Sequence, residues 1–492
     1  MNQTSIGVRT KFWYGVGQVS EGVKNYAFQL MLLYYYNQVL GVSASLVGLV
    51  LLLALLFDAV TDPLIGSLSD SLRSRWGRRH GFMYAAAAPM GVAFYFTFAP
   101  PSSLGQQGLL LWLLFWSVAA RAAMTLYHVP HMALGAELST DYHERTSVVA
   151  YRVFFGYFGA VLLVVLSRAV FLPATSVYPV GQSNPAGYAP MGLWMGLLIA
   201  VVIFVSAYGT HDRIPYLEQA AAGSRFSLRG LLRDMVEALR NRSFRAFFIG
   251  LLLYTVGRGV DLALWMYVGT FFFGLGTNTQ LVPLCGIIGV LVGTPVWARV
   301  RMDKRQMFIW GISGYAFLTI AMPMAKLLDL LPAVDSGAYL PLILLNAFIA
   351  AMFGAGPLLA GSSMVADISD EHELLTGRRQ EGIFFGALAF SLKAASGAGN
   401  WLGAVALSAI AFPTKVRDPS SVDPDTVVDL ALVYGPGVLV ITVLGIMFMR
   451  GYRLTSVRHA EIRRELVERR SAKQVVATPV APPPAGAAAE LG

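Results

Sequence analysis

The chain has 492 residues, of which 56% are hydrophobic and only 13% are charged. A soluble domain carries about 25% charged residues, so this composition excludes an ordinary globular domain and predicts a polytopic membrane protein. The formal charge of +9 does not indicate nucleic-acid binding, because the basic residues lie in short loops between apolar runs.

Apolar runs of about 20 residues cross a bilayer, and against lipid they do so as helices. Twelve such runs follow one another: 12–40, 43–70, 81–100, 107–135, 149–172, 191–209, 244–275, 278–298, 306–329, 338–365, 382–412 and 428–450. The first carries Glu21 and Lys24, three residues apart and able to pair with each other, and it does not read as a cleaved signal peptide. The second carries Asp58 and Asp62, one turn apart on a single face. At membrane depth each charged carboxylate costs roughly 3 kcal/mol. The pair therefore requires a bound cation, a basic side chain or a proton, and reads as a coupling-ion site; the alternative is an ion pair that only stabilises packing. Thr61, beside Asp62, and Thr125, in the fourth run, offer oxygens of the kind hard cations prefer. Sodium bound at Asp58 and Asp62 is the metal such a site would take, and a proton is the other candidate.

Further ionisable groups lie within later runs. Arg121, Thr125, His128 and Met132 share one face of the fourth, and Arg152 begins the fifth. His128 is either a proton-accepting group or a satisfied core residue. Arg258 and Asp261, three apart in the seventh, form a local pair or mark a solute path. Lys393, in the eleventh, has no acid within one turn, so its partner is expected across the bundle, at the span-two acids. The lone Cys285 leaves no disulfide framework. With no metal-ligand cluster, nucleophile elbow or phosphate loop in the chain, no catalytic residues and no cofactor are assigned; the expectation is a transporter, not an enzyme.

Loop charge predicts orientation. Arginines and lysines crowd the loops near 73–79, 213–242, 299–305 and 378–379 and the tail from 450, whereas the alternate loops hold only Lys415 and Arg417. The positive-inside rule then puts both termini in the cytoplasm. The longest polar loop divides the chain into six-helix halves, 1–209 and 244–452, joined by a linker at 210–243 and followed by a largely disordered tail, 453–492. Within the linker, 226–239 is basic and amphipathic, suited to the inner membrane surface. Three charged cytoplasmic stretches are candidates for a gate that latches the halves: Asp70, Arg75 and Arg78; Glu137 and Arg145; Asp367, Asp370 and Arg378. Plain surface charge is the alternative.

Several motifs carry a family resemblance: LLYYYNQVLG at 32–41, FDAVTDPLIG at 57–66, RSRWGRRHGF at 73–82, HVPHMALGAELSTDYHERT at 128–146, and MVADISDEHELLTGRRQEGIFFG at 364–386, ending at Lys393. Together they resemble the glycoside–pentoside–hexuronide:cation symporters, the melibiose-permease group of the major facilitator superfamily, over nearly the whole chain except the tail. The resemblance implies an all-α integral membrane protein of twelve helices in two bundles, with alternating access and solute uptake coupled to sodium, lithium or protons. It also implies cation ligation by Asp58, Asp62 and Thr125, with Thr61 at a position that holds an asparagine in the permease. Arg152 matches an arginine near the sugar, and Lys393 a lysine linking the cation and sugar sites. Gly22 and His128 stand where the family has sugar-site aspartates, and Met132 and Leu358 where it has tryptophans. The HVP stretch is also similar to that of vertebrate sodium-dependent lysophosphatidylcholine symporters, so a lysolipid or other amphiphile is the second solute expectation. An exporter or a non-transporting membrane sensor are further alternatives. The expected partners are a small-molecule solute, most readily a carbohydrate, and the lipid bilayer of a bacterial-type inner membrane; a monomer is expected.

Overall fold

The computed structural model describes residues 6–477, apart from Arg73, Thr140, 218–229, 231–232, 234–235 and 378–380. Among the described residues, ten helices are long and apolar enough to cross a membrane. Segment 8–39, interrupted by π turns at Ala27–Met31 and Tyr35–Val39, and the helix Glu381–Ala409 bring the crossing segments to twelve. We label them α1 (8–39), α2 (Ala44–Ser71), α3 (Gly77–Phe98), α4 (Gln106–Glu137), α5 (His143–Phe171), α6 (Tyr188–Gly209), α7 (Arg242–Phe272), α8 (Leu281–Arg299), α9 (Lys304–Leu327), α10 (Tyr339–Thr376), α11 (Glu381–Ala409) and α12 (Pro424–Met449). A thirteenth helix, α13, spans Ser456–Ala477.

The apolar runs form helices because only a helix satisfies its own backbone where water is absent. Their outer faces remain apolar. On α6, Leu193, Leu197, Val201, Phe204 and Tyr208 are all exposed and lie along one stripe, as a lipid-facing surface requires. Inner faces are held close by small residues. A methyl at Gly259 of α7 would lie 2.7 Å from the Ser396 carbonyl oxygen of α11, and one at Gly399 of α11 would meet the Val256 carbonyl oxygen of α7. The two backbones approach because neither position carries a side chain.

The first six helices pack mainly on one another, as do the last six, and α2 against α11 makes the main contact between the groups, with α1 against α7 beside it. Apart from the bonds of Lys393 described below, the hydrogen bonds between the groups gather, among the described residues, at one end. There Gln182 donates to Thr270 and to the Gly276 carbonyl, Ser167 donates to Gln280, Tyr267 donates to Asn37, and Gln38 donates to the Pro413 carbonyl. These polar groups are buried and mutually satisfied, which makes this end a seal. It is the end opposite to both termini of the described chain.

Two boundaries differ from expectation. Helix α10 continues eleven residues past its apolar run and stops at Gly377, whose φ of +72° is the left-handed cap that glycine supplies without strain. The stretch carrying Asp367 and Asp370, expected in a loop, is therefore helical. The tail, expected to be largely disordered, begins with α13, which packs on α10. Arg469 donates to the Leu374 carbonyl, and Ile462 and Leu466 are buried one turn apart. The amphipathic stretch 226–239 lies mostly outside the described residues.

The α7–α11 approach yields a test. Gly399→Val should cost about 1–3 kcal/mol of stability, the usual penalty of overpacking, and lower the thermal unfolding midpoint of the purified protein. Gly337→Val, in a turn where an added Cβ would meet no atom within 4 Å, should leave the midpoint unchanged. Equal midpoints for the two variants contradict the close packing.

Candidate functional site

Asp58 and Asp62 lie on the face of α2 that meets α4 and α11. Thr125 Oγ1 of α4 is 2.8 Å from Asp58 Oδ1 and 2.9 Å from Asp62 Oδ1, so one hydroxyl proton serves two acceptors. Lys393 Nζ of α11 donates to Asp58 Oδ2 at 3.0 Å and also to Asp62 Oδ2. Arg121 Nη1, one turn before Thr125, donates to Asp58 Oδ2 at 3.4 Å and stacks over Phe28. Arg121 and Lys393 thus face the two carboxylates, with Lys24 near Asp58 and its partner Glu21 near Arg121, and the charges balance without an added ion. Exposure is uneven: Asp58 keeps 8% of its side-chain surface, Asp62 26% and Lys393 35%. The Asp62–Lys393 side of the cluster is therefore the more open one, and Asp58 is enclosed.

Four of the expected groups thus meet in one place with Lys393: Asp58, Asp62, Thr125 and Arg121. Thr61 does not join them. Its hydroxyl donates to the Asp58 carbonyl at 3.2 Å, the local bond that a threonine inside a helix readily makes, and it engages neither carboxylate. The donors gathered on the two acids are carboxylate and hydroxyl oxygens, the kind that hard cations prefer.

The expected solute-site residues fall into separate groups. Glu21 accepts from Lys24 at 3.4 Å and from Asn25 at 2.7 Å, and its other oxygen lies 3.7 Å from His128 Nδ1. Both of those facing atoms are buried without a hydrogen-bond partner. Arg152 stands apart, its Nη1 directed at the Met132 sulfur. In the other half Arg258 and Asp261 bond at 2.6 Å. They border a cavity of about 450 Å³ between the bundles, lined mostly by α7, α8, α9 and α10 with Tyr26, Gln29 and Tyr157 from the first half. That volume suits a small organic solute.

At the charged end, the ion pairs seen among the described residues join groups of the same half. Arg78 and Arg79 of α3 hold Glu137 of α4 at 2.8 Å, and Arg79 also holds Asp70 at 2.6 Å. Arg145 donates to the Ser139 carbonyl, and Arg75 stacks on Trp76. Lys304 of α9 bonds Asp367 of α10 at 2.8 Å, and His459 of α13 bonds Asp370 at 3.0 Å. Neighbouring helices bring these partners together, so in this conformation they brace each half separately rather than latching the two. Arg378 lies outside the described residues.

Sequence reasoning missed Tyr315 and Tyr434. Both are buried and both donate to Asp261, Tyr434 at 2.7 Å. The available signal was a tyrosine hydroxyl in the middle of an apolar run, which needs a partner when buried. Asn25, a turn after Glu21, was legible from spacing alone.

Among known proteins, residues 13–456 match the family model described as MFS/sugar transport protein. YagG of Escherichia coli (strain K12), named a glycoside/cation symporter, is 27% identical over 96% of this chain and 97% of its own length. The isoprimeverose transporter of Lactiplantibacillus pentosus is 24% identical over 80% of this chain and 78% of its own. The inward-open structure of the xylose transporter XylE from Escherichia coli superposes with a TM-score of 0.58, covering 91% of this chain and 96% of that one at 16% identity, a likeness of fold. With its twelve helices in two bundles and a family match running through both, the chain belongs to the MFS/sugar transport proteins.

Proposed function

We propose that this protein is a secondary active transporter that brings a glycoside into a bacterial cell, coupled to the entry of sodium or a proton and working by alternating access. The observation that carries the coupling is Lys393, which reaches from the second half into the carboxylates of the first. A cation entering between Asp58, Asp62 and Thr125 competes with that ammonium for the same oxygens. When the cation wins, the bond joining α2 to α11 weakens and Lys393 is released. When the cation leaves, Lys393 restores charge balance. The occupancy of one small site thus biases the relation of the two bundles, and a solute bound between them feels the change. Each ligand then alters the affinity for the other by the same factor.

Orientation follows from loop charge: the basic end, with both termini, faces the cytoplasm. The bonded end is then external, and the conformation is inward-facing. Asp62, the more exposed of the two acids, lies one turn nearer than Asp58 to the cytoplasmic end of α2, in line with ion release to that side. The halves comprise 1–209 and 244–452, and the cytoplasmic charged clusters, paired internally here, are the groups that would exchange partners when that side closes. The names of the relatives favour a carbohydrate over an amphiphile.

Two measurements in proteoliposomes test this. Asp58→Asn and Asp62→Asn should each lower cation-driven glycoside uptake at least tenfold, and uptake that persists at the parental rate in both contradicts the assignment. Lys393→Gln removes the internal competitor and leaves the cluster one negative charge in excess. The half-saturating concentration of the coupling cation should then fall several-fold, while solute accumulation against a gradient declines. An unchanged cation dependence overturns the competition mechanism.

A further inference from the structure

Arg258 and Asp261 are the only charged residues among the described ones lining the cavity between the bundles. Asp261 is held from three sides: Arg258 and Tyr315 donate to Oδ2, and Tyr434 donates to Oδ1. Three of the roughly four acceptor sites of the carboxylate are taken by the protein, so it has little left to offer a solute hydroxyl or a cation. Arg258 is different. Only Nη1 is bonded, to Asp261 and Tyr315, while a guanidinium carries five N–H groups. Its Nε and Nη2 make no bond to a described residue, and they are not among the sealed polar atoms. The side chain keeps 35% of its surface and borders the cavity. Aromatic side chains share the wall of the cavity, among them Tyr26, Tyr157, Tyr254 and Trp265.

We infer that this cluster is a charge-neutral docking point for solute oxygens, and that Asp261 sets the charge selectivity of the cavity by excluding glycosides that bear a carboxylate. The inference rests on the glycoside symport reading above. An arginine alone in an apolar cavity demands an anion, because an uncompensated buried charge is costly. Paired with Asp261, the same arginine is already neutralised, yet its remaining N–H groups still donate. A hydroxyl or ring oxygen accepts them without bringing a new charge out of water. A carboxylate would have to shed its hydration and then feel Asp261 repel it at nearly the distance at which Arg258 attracts it. The aromatic surroundings fit the apolar faces of a pyranose ring and supply no second cation that would tip the balance back.

The test is competition for uptake in proteoliposomes under a cation gradient, using matched pairs that differ only at C6: alkyl glucosides with alkyl glucuronides, and alkyl galactosides with alkyl galacturonides. The parental protein should prefer the neutral member of a pair at least tenfold. Asp261→Asn leaves Arg258 uncompensated and should shift that ratio at least tenfold toward the uronide, and the double variant Arg258→Gln, Asp261→Asn should return the preference to the neutral glycoside. An unshifted ratio in Asp261→Asn overturns the inference. So does a parental protein that takes both members equally, a result that does not depend on any variant folding. If no member of either pair is transported or competes, the glycoside reading itself fails and the inference falls with it.

Discussion

The arrangement of this protein depends on a charge problem in a poor solvent. Asp58 and Asp62 sit on one face of an apolar helix, where two uncompensated carboxylates would be severely unfavourable. The compensation comes from two directions. Arg121 is fixed in the same half, on the helix next to α2, and bonds Asp58, with Lys24 of the same half nearby. Lys393 belongs to the other half and bonds both acids. Because a balancing charge is contributed by the opposite bundle, electrical neutrality at the site and contact between the bundles are tied together. Anything that replaces the ammonium changes both.

The rest of the molecule is disposed so that this contact can matter. At the end away from the termini, amides and hydroxyls of both halves are bonded in a buried network. At the other end, Arg79, Glu137, Lys304 and Asp367 find partners within their own half. Each bundle is thus internally braced there, as a body must be if it is to move rigidly against its neighbour. The close α7–α11 approach gives the second bundle the same rigidity on its inner side. Between the braces lie the cavity and, next to it, the Arg258–Asp261 pair with its two tyrosines. The acid pair and this second pair treat charge in opposite ways. The first is balanced in part by a charge from the opposite bundle, whereas the second is balanced within its own half.

Much of this was legible in the residues themselves, and the reasons are physical. A charge inside an apolar run is so costly that Asp58, Asp62 and Lys393 announce themselves, and the lack of any acid near Lys393 pointed across the bundle. Helical spacing alone grouped Arg121 with Thr125, and Arg258 with Asp261. What spacing cannot reveal is which of several local bonds a small polar side chain makes. Thr61 stands beside Asp62 in sequence, but its hydroxyl satisfies the backbone carbonyl of Asp58. The cytoplasmic charges were visible as clusters; their pairing within halves depends on which helices are neighbours, a tertiary fact. Tyr315 and Tyr434 were hidden because a tyrosine in an apolar run passes as packing until its hydroxyl is traced to Asp261. Nothing in the sequence reading singled out 456–477 as a helix, because its docking on α10 through Ile462 and Leu466 is a tertiary contact.

The central claim is that ion and solute occupy linked sites, and thermodynamic linkage makes the coupling reciprocal. The most direct measurement therefore runs transport in reverse. Proteoliposomes loaded with the transported glycoside are diluted into glycoside-free buffer with no ion gradient, and external sodium and pH are followed as the solute leaves. The account requires sodium or protons to move out with the glycoside, building a gradient of the ion from the gradient of the sugar. Solute efflux that leaves both ion concentrations flat would contradict it.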